Sequence, residues 1–127
     1  MHHITDDFYS IDKIHELIAS GEKIGISEDC KHKIQHCATY LKNKLASGNQ
    51  IIYGINTGFG SLCNTVISNA ELEDLQINLV RSHACGAGLQ IPNDIVKRIL
   101  LLKAIALSKG HSGVYLETVE RILWLYN

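Results

Sequence analysis

Apolar residues recur every three or four positions along most of the chain, a spacing typical of helices with one buried face. The first such segment covers residues 11–20 and has three isoleucines on one face: Ile11, Ile14 and Ile18. Ser10 precedes this segment and Gly21 follows it. Because serine is a favoured N-cap and glycine a favoured helix end, the pattern predicts a short surface helix between them.

A longer helix is predicted between Ser27, which we expect to be its N-cap, and Gly48, which we expect to end it. Glu28 and Asp29 fall in its first turn, where carboxylates interact favourably with the helix dipole. One stripe of this helix is apolar and is expected to face a core: Cys30, Ile34, Cys37, Leu41 and Leu45.

Residues 51–60 interrupt the helical spacing. Ile51, Ile52 and Tyr53 form a short run of residues that favour β structure. A glycine-rich loop, Gly-Ile-Asn-Thr-Gly-Phe-Gly, follows at 54–60. The pattern therefore predicts a small β-like and irregular element here.

Helical spacing returns from Asn69 to about Ala84, with three leucines expected to face inward: Leu72, Leu75 and Leu79. Pro92 opens the next predicted helix, and Gly110 follows its end. Between Ile95 and Leu107 this helix is apolar on nearly every side, which is typical of an element buried all round.

Ser112 is the expected N-cap of a last helix, whose end, 122–126, is rich in apolar residues. A chain of 127 residues can hardly cover so many apolar surfaces. We therefore expect an all-α fold of which residues 1–127 are one piece, incomplete at the C-terminus.

Composition excludes several partners. The net charge is -1, and the chain contains no basic run, so neither nucleic acid nor an acidic membrane surface is an expected partner. The four cysteines form no CxxC pair, and no secretory segment opens the chain, so we expect a reducing, cytoplasmic location. The apolar runs are too short to cross a bilayer.

The glycine loop has two interpretations from its residues alone. Bare glycine N–H groups can cradle a phosphate, but the spacing GxxxGxG is not that of a dinucleotide loop, and no Gly-Lys-Ser/Thr follows. A structural turn is the simpler interpretation. Tyr53 at the start of the loop, with Asn56 and Thr57 inside it, favours a site instead.

A series of motifs beginning at this loop resembles the aromatic amino acid ammonia-lyases, enzymes that eliminate ammonia from histidine, phenylalanine or tyrosine. The series covers nearly all of the chain from Tyr53 onward, in the order and spacing of that family. It comprises Tyr-Gly-Ile-Asn-Thr-Gly-Phe-Gly at 53–60, Asp-Leu-Gln at 74–76, Asn-Leu at 78–79, Ser-His-Ala-Cys-Gly at 82–86, Pro92 and Gly-His-Ser-Gly-Val at 110–114.

The resemblance implies roles for two residues of the loop. Tyr53 matches the tyrosine that lies over the substrate and acts as acid or base for its β-proton. Gly60 matches the glycine whose backbone N–H faces the substrate. Since a free phenol is a poor base at neutral pH, this role requires a site that favours the phenolate.

His83 lies on a helix face with Leu72, Gln76 and Leu79 at helical spacing, so two polar groups interrupt an apolar stripe. They are either core residues satisfied by nearby backbone groups or the border of a polar cavity. The resemblance favours the cavity, because Ser82-His83 matches the Ser-His that histidine enzymes carry at their selectivity position. An imidazole there can pair with a substrate imidazole.

Two histidines and a cysteine also carry groups that could form a site. His32 and His36 are spaced for a metal but lie opposite the apolar stripe without further ligands, so we expect a solvated face and no metal site. Cys85 has no identifiable base and is expected to be a small buried hydrophobe.

The tripeptide Ala46-Ser47-Gly48 has the composition from which the family makes its prosthetic group, 4-methylideneimidazole-5-one (MIO). It lacks the Asp-Leu-Ala-Pro that follows the family's copy, so we expect an ordinary helix end. The family's order of motifs implies that the reacting tripeptide lies beyond Asn127 and that no such group forms within this chain.

The resemblance implies that residues 1–127 are the N-terminal part of a domain with the helical ammonia-lyase fold. It also implies elimination of ammonia from L-histidine to give trans-urocanate in histidine catabolism, and a homotetramer for the full-length enzyme. This chain alone is expected to be inactive. Two alternatives stay open: a fragment of a tyrosine ammonia-lyase, or a truncated, non-catalytic module that associates with other helices.

Overall fold

The computed structural model describes residues 1–47, 51–68 and 70–127. The described residues form two short strands and five α-helices: β1 His2–Ile4, α1 Ile11–Ser20, β2 Ile24–Ile26, α2 Glu28–Ala46, α3 Leu72–His83, α4 Asn93–Ser108 and α5 Leu116–Tyr126. The mainly helical class is therefore confirmed. The chain divides into one unit of Met1–Ala46 with Gln90–Asn127 and a second unit of Ser47–Leu89.

The caps of α1 are the predicted ones. Ser10 Oγ accepts a hydrogen bond from the backbone N–H of Lys13 at 3.2 Å, and Gly21 ends the helix at φ 64°, a conformation that glycine adopts without strain. The predicted face is wrong at one end, because Ile11, the first helical residue, is exposed. Leu17 is the buried residue of this helix instead.

Strands β1 and β2 pair in parallel, with His2 opposite Ile24 and Ile4 opposite Ile26. Helix α1 connects them. The open edge of β2 is paired by a side chain: Asn127 Oδ1 accepts from Ile24 N–H at 2.8 Å, and Asn127 Nδ2 donates to Ile24 C=O at 2.9 Å. The end of α5 is thereby fixed to the sheet.

Helix α2 begins as predicted, with Ser27 Oγ accepting a hydrogen bond from Cys30 N–H at 3.3 Å. The predicted apolar stripe reaches the core of the first unit only at its beginning, where Cys30 and Ile34 are fully buried. Its other members, Cys37, Leu41 and Leu45, are half-buried. The largest buried side chains of this core come from both strands and from α2, α4 and α5: Ile4, Ile24, Ile34, Leu101 and Val119. Gly48, the predicted helix end, lies outside the described residues.

The buried residues of helix α4 all lie in its second half. Leu101 and Ala104 are inaccessible to solvent, whereas Ile95, Ile99 and Leu102 are 42%, 53% and 48% exposed. These three residues follow at i, i+4 and i+7 and form one stripe, named here the α4 stripe. The prediction of a helix buried all round is therefore wrong within this unit, although the surplus of apolar surface is confirmed.

The predicted N-cap of the last helix is wrong. Helix α5 begins at Leu116, four residues after Ser112, and Tyr115 occupies its N-cap position. Gly113 has φ of 70°, which a right-handed helix starting at Ser112 cannot contain. None of the helices in the described ranges is both long and apolar enough to cross a membrane.

An ion-pair network ties the segment after β1 to α2 and to the end of α4. Asp6 Oδ2 lies 2.7 Å from Lys33 Nζ, and Asp6 Oδ1 lies 3.3 Å from Lys109 Nζ. The hydrogen bonds and charges of these lysines lower the pKa of Asp6, and the hydrogen bond to Asp6 raises the pKa of Lys33. Lys109 also donates to the backbone carbonyls of Asp6 and Asp7, at 2.7 and 2.9 Å.

Candidate functional site

The glycine-rich loop is irregular, as predicted, and its backbone depends on glycine at three positions. Gly54 and Gly60 have φ of 73° and 58°, a region that residues with side chains rarely adopt. Gly58 has no room for a side chain, since a Cβ there would lie 2.6 Å from Leu62 Cβ and 2.8 Å from Leu62 C=O. The run at 51–53 is not a strand: the β-like part of this segment is an antiparallel bridge between Thr57 and Val66.

Most of the N–H and hydroxyl groups of the loop that could bind a phosphate already donate hydrogen bonds to other protein atoms. Gly54 N–H donates to Thr57 Oγ1 at 3.2 Å, and Thr57 Oγ1, fully buried, donates to Gly58 C=O at 2.9 Å. Gly58 N–H donates to Thr65 C=O at 3.0 Å. Because these donors already have partners within the second unit, the geometry does not favour the phosphate interpretation.

Gly60 is the exception among these glycines. Its N–H stands at the first position of a short 3-10 turn, Gly60–Leu62, and donates to no residue that the structure describes. The first N–H groups of a helical turn have no partner within it and are free to meet a ligand.

Tyr53 stands at the start of the loop with its side chain 66% exposed. Its ring meets the ring of Phe59 edge to face, with centroids 6.4 Å apart and planes at 71°. Within the described residues its hydroxyl has no hydrogen-bond partner. The ring is therefore held on one side while the hydroxyl stays available to a ligand.

An open groove of about 340 Å³ lies between the loop and α3. Its walls are mainly apolar, with a few polar groups, as is usual for small-molecule sites. The residues that line it are Gly58, Phe59, Leu62, Thr65 and Ile67 from the loop side and Leu75, Asn78, Leu79, Ser82 and His83 from α3.

His83 lies in this groove at the last position of α3. Its Nδ1 is 2.9 Å from Leu79 C=O and 2.9 Å from Ser82 Oγ, and Ser82 Oγ donates to the same carbonyl at 3.0 Å. The side chain is exposed and lines the groove. The prediction of the face itself is partly wrong, because Leu72 and Gln76 do not line the groove.

Asn78 lines the groove and was not singled out from the sequence as a site residue. It precedes Ser82 by four positions, so both lie on one side of α3, and that spacing was the signal that could have found it. Asn69, the predicted start of this helix, lies outside the described residues; α3 begins at Leu72.

The three predicted site residues thus lie in the second unit, but only one of them lines the groove. His83 lines the groove directly. Tyr53 reaches it through Phe59, whose ring contacts the tyrosine and also lines the groove. Gly60 follows Phe59 in the chain and is not part of the groove wall.

A family model described as aromatic amino acid lyase matches residues 9–127. The chain belongs to the aromatic amino acid lyase family. The chain is 38% identical over 124 residues to the histidine ammonia-lyase of Shouchella clausii (strain KSM-K16), covering 98% of this chain and 25% of that relative. It spans about a quarter of the length of the curated relatives it matches.

Solved structures of similar proteins have the same fold. The histidine ammonia-lyase of Trypanosoma cruzi is 35% identical, with a TM-score of 0.74 over 93% of this chain and 22% of that one. The phenylalanine aminomutase of Pantoea agglomerans has a TM-score of 0.90 over 100% of this chain and 25% of that one, at 21% identity. The expectation of a helical ammonia-lyase fold is therefore confirmed.

The remaining candidate residues lie elsewhere in the chain. His32 and His36 are exposed on α2. No group of three or more histidine, cysteine or carboxylate side chains within the described ranges could hold a metal ion. Cys85 was expected to be buried, but it is exposed. It follows the end of α3 at His83, and residues 84–90 are all exposed, so nothing covers the thiol.

Ala46 is the last residue of α2, and Ser47 lies in the turn after it. Ala46 therefore has the backbone of a helix end, as predicted. Gly48, the third residue of the tripeptide, lies outside the described residues.

Proposed function

We propose that this chain forms part of an enzyme that eliminates ammonia from L-histidine to give trans-urocanate. The observation that carries the proposal is the groove of the second unit, in which His83 on α3 faces the loop that begins at Tyr53. Relatives named histidine ammonia-lyases, 38% identical over nearly the whole chain, support histidine as the substrate.

Tyr53 is proposed as the acid or base that moves the β-proton of the substrate. Its hydroxyl is exposed and bonded to no described residue, and its ring is steadied by Phe59. Gly60 is proposed to offer its backbone N–H to the substrate, and His83 to pair with the substrate ring. These three groups supply a proton-transfer group, a backbone donor and a ring partner.

The reaction also needs an electrophile, because an amine is a poor leaving group and the β-proton is weakly acidic. In the family this is MIO, which makes the amine a better leaving group. Ala46-Ser47-Gly48 does not suit its formation, since Ala46 closes a regular helix rather than an irregular loop. We propose that the reacting Ala-Ser-Gly lies outside these 127 residues and that this chain alone is inactive.

The proposal extends to assembly and location. We propose a cytoplasmic homotetramer for the full-length enzyme. The α4 stripe supports association, because Ile95, Ile99 and Leu102 are about half exposed on one side of a helix. The same stripe favours the second candidate, a non-catalytic module that binds other helices.

An enzyme graft tests the proposal directly. This chain would replace the matching segment of the Shouchella clausii relative, and urocanate would be followed by its ultraviolet absorbance. We expect turnover of L-histidine and a strong preference for it over L-tyrosine and L-phenylalanine. A preference for tyrosine would establish the tyrosine alternative, and a folded tetramer without turnover would favour the non-catalytic module.

A further inference from the structure

Three atoms at the end of α3 lie at hydrogen-bond distance from one another. His83 Nδ1 is 2.9 Å from Leu79 C=O and 2.9 Å from Ser82 Oγ, and Ser82 Oγ is 3.0 Å from the same carbonyl. All three distances suit hydrogen bonds. The arrangement fixes more than the position of the ring, because a neutral imidazole carries its proton on one nitrogen only.

The carbonyl oxygen decides which nitrogen carries the proton. A carbonyl can only accept, so Nδ1 at 2.9 Å from Leu79 C=O must be the donor. The opposite tautomer would place two lone pairs face to face at that distance. With Nδ1 protonated, Nδ1–H can also point to Ser82 Oγ, and the serine hydroxyl donates to Leu79 C=O, so all three contacts are favourable.

Nε2 then carries a bare lone pair. It is bonded to no residue that the structure describes, and it is the ring nitrogen left to meet a ligand in the groove, since Nδ1 faces the helix backbone. As an acceptor, Nε2 needs a hydrogen-bond donor from the ligand. A ligand ring that bears an N–H can donate to Nε2, whereas a phenyl ring cannot.

We propose that Leu79 C=O and Ser82 hold His83 as the Nδ1–H tautomer, so that Nε2 accepts a hydrogen bond from a ring N–H of the ligand. Ser82 is thus a positioning residue that acts through His83. The ligand part of this proposal rests on the proposed function, in which an azole ring enters the groove; the tautomer part rests on the three contacts alone.

Nuclear magnetic resonance of the 127-residue chain tests the tautomer, with ¹⁵N in the histidine rings and H83Q to assign the signal. At about pH 8.5, where imidazoles are ordinarily neutral, we expect a protonated Nδ1 and an unprotonated Nε2 at His83. S82T, which keeps the hydroxyl, should retain this state, and S82A should shift population to the other tautomer. The backbone amide signals of α3 control for the fold of each variant.

Two outcomes would overturn this part. A wild-type His83 protonated on Nε2 contradicts the tautomer, and an S82A spectrum identical to wild type contradicts the role of Ser82. Neither readout depends on turnover. Failure of the proposed function, which appears as a graft without activity on histidine, is therefore distinguishable from failure of this inference.

A matched pair of small molecules tests the donor. Imidazole carries a ring N–H, whereas 1-methylimidazole has the same ring with a methyl group in place of that hydrogen. Titrated into the same chain, imidazole should move the Nε2 signal of His83, and 1-methylimidazole should bind about three- to tenfold more weakly, the usual effect of losing one hydrogen bond. Equal affinities, or no change in the Nε2 signal with either probe, would overturn the donor assignment.

Discussion

The ring of Phe59 meets the ring of Tyr53 at a centroid distance of 6.4 Å and an angle of 71°, and Phe59 also lines the groove that contains His83. One aromatic residue thus links the exposed tyrosine to the wall in which the histidine lies. The contact leaves the tyrosine hydroxyl clear, which is what a proton-transfer group requires.

Tyr53→Phe in the grafted enzyme is expected to reduce turnover by about 10²–10⁴-fold, the usual loss when a positioned acid or base is removed. The ring contact with Phe59 is retained, so the thermal midpoint should not change. Urocanate absorbance and circular dichroism measure the two effects. Tyr115→Phe is the control, since that ring is equally exposed, at 65%, and lies in the other unit. Near-normal turnover by Tyr53→Phe would remove Tyr53 from the catalytic role.

His83→Phe is expected to shift the preference of the grafted enzyme from histidine toward phenylalanine. A wall that pairs polar groups rejects a ligand without them, and an apolar wall loses that selectivity. The measurement is the ratio of kcat/KM for the two substrates. Val80→Phe is the control on the same helix, because Val80 is exposed and does not line the groove. An unchanged ratio in His83→Phe would show that the residue does not select the substrate.

Gly58→Ala is expected to destabilise the loop by about 1–3 kcal/mol, the usual effect of forcing an added methyl group into a packed site. The new Cβ would lie 2.8 Å from Leu62 C=O, so the backbone must move. Hydrogen exchange of the Ile67 N–H, which donates to Asn56 C=O at 3.0 Å, reports the opening. In the control Gly86→Ala the methyl group meets nothing within 4 Å. Equal exchange rates in both variants would contradict the close packing at Gly58.

Asp6→Asn is expected to lower stability at neutral pH and to have less effect in acid. The pKa of Asp6 is lowered in the folded chain by Lys33 and Lys109, so its contribution is present above the ordinary carboxyl pKa and is lost as pH falls through the lowered one. Lys33, with its pKa raised by Asp6, loses its contribution only at high pH.

Urea unfolding midpoints at about pH 7 and about pH 3 would measure this difference. Glu16→Gln is the control, because Glu16 forms a single exposed ion pair with Lys13 and should contribute little at either pH. If Asp6→Asn lowers the urea midpoint by the same amount at both pH values, the stability contribution of Asp6 does not come from its ion pairs.

The 127-residue chain alone is expected to form no urocanate and to associate in solution. The α4 stripe is the expected contact, so Ile99→Lys should lower the mass measured by light scattering, whereas Val80→Lys on α3 should not. Urocanate from uncontaminated chain would contradict the assignment of the electrophile to another segment. A monodisperse wild-type monomer with a cooperative thermal transition would contradict the association.

Local signals predicted most of the helices because caps and turns act over a few residues. Ser10, Gly21 and Ser27 occupy the predicted positions. The paired strands were not predicted, since each has three residues, too few for an alternating pattern, and each depends on a partner about twenty residues away. Ser112 is not the N-cap of α5, because Gly113 adopts a left-handed conformation. Glycine can adopt this conformation but need not, so the sequence alone does not predict it.

The sequence predicted individual residues of the candidate site but not the lining of the groove, and the reason is similar. The resemblance identified Tyr53, Gly60 and His83, and helical spacing identified an interrupted face on α3. Which side of α3 lines the groove depends on where the loop packs, and that involves contacts such as Gly58 with Leu62 that no local pattern encodes. The positions of Asn78 and Phe59 in the groove lining depend on those contacts, which the sequence alone does not predict.

The core of the first unit is assembled from two stretches, Met1–Ala46 and Gln90–Asn127, with the site-bearing segment between them in sequence. During biosynthesis the earlier stretch therefore emerges without its packing partners. At about 5–20 residues per second, the ribosome needs roughly 4–16 s to complete the later one. Until then Ile4, Ile24 and Ile34 have nothing from α4 or α5 to bury them. The nascent chain is exposed to aggregation in this interval, and transient chaperone binding to its first 46 residues would protect it.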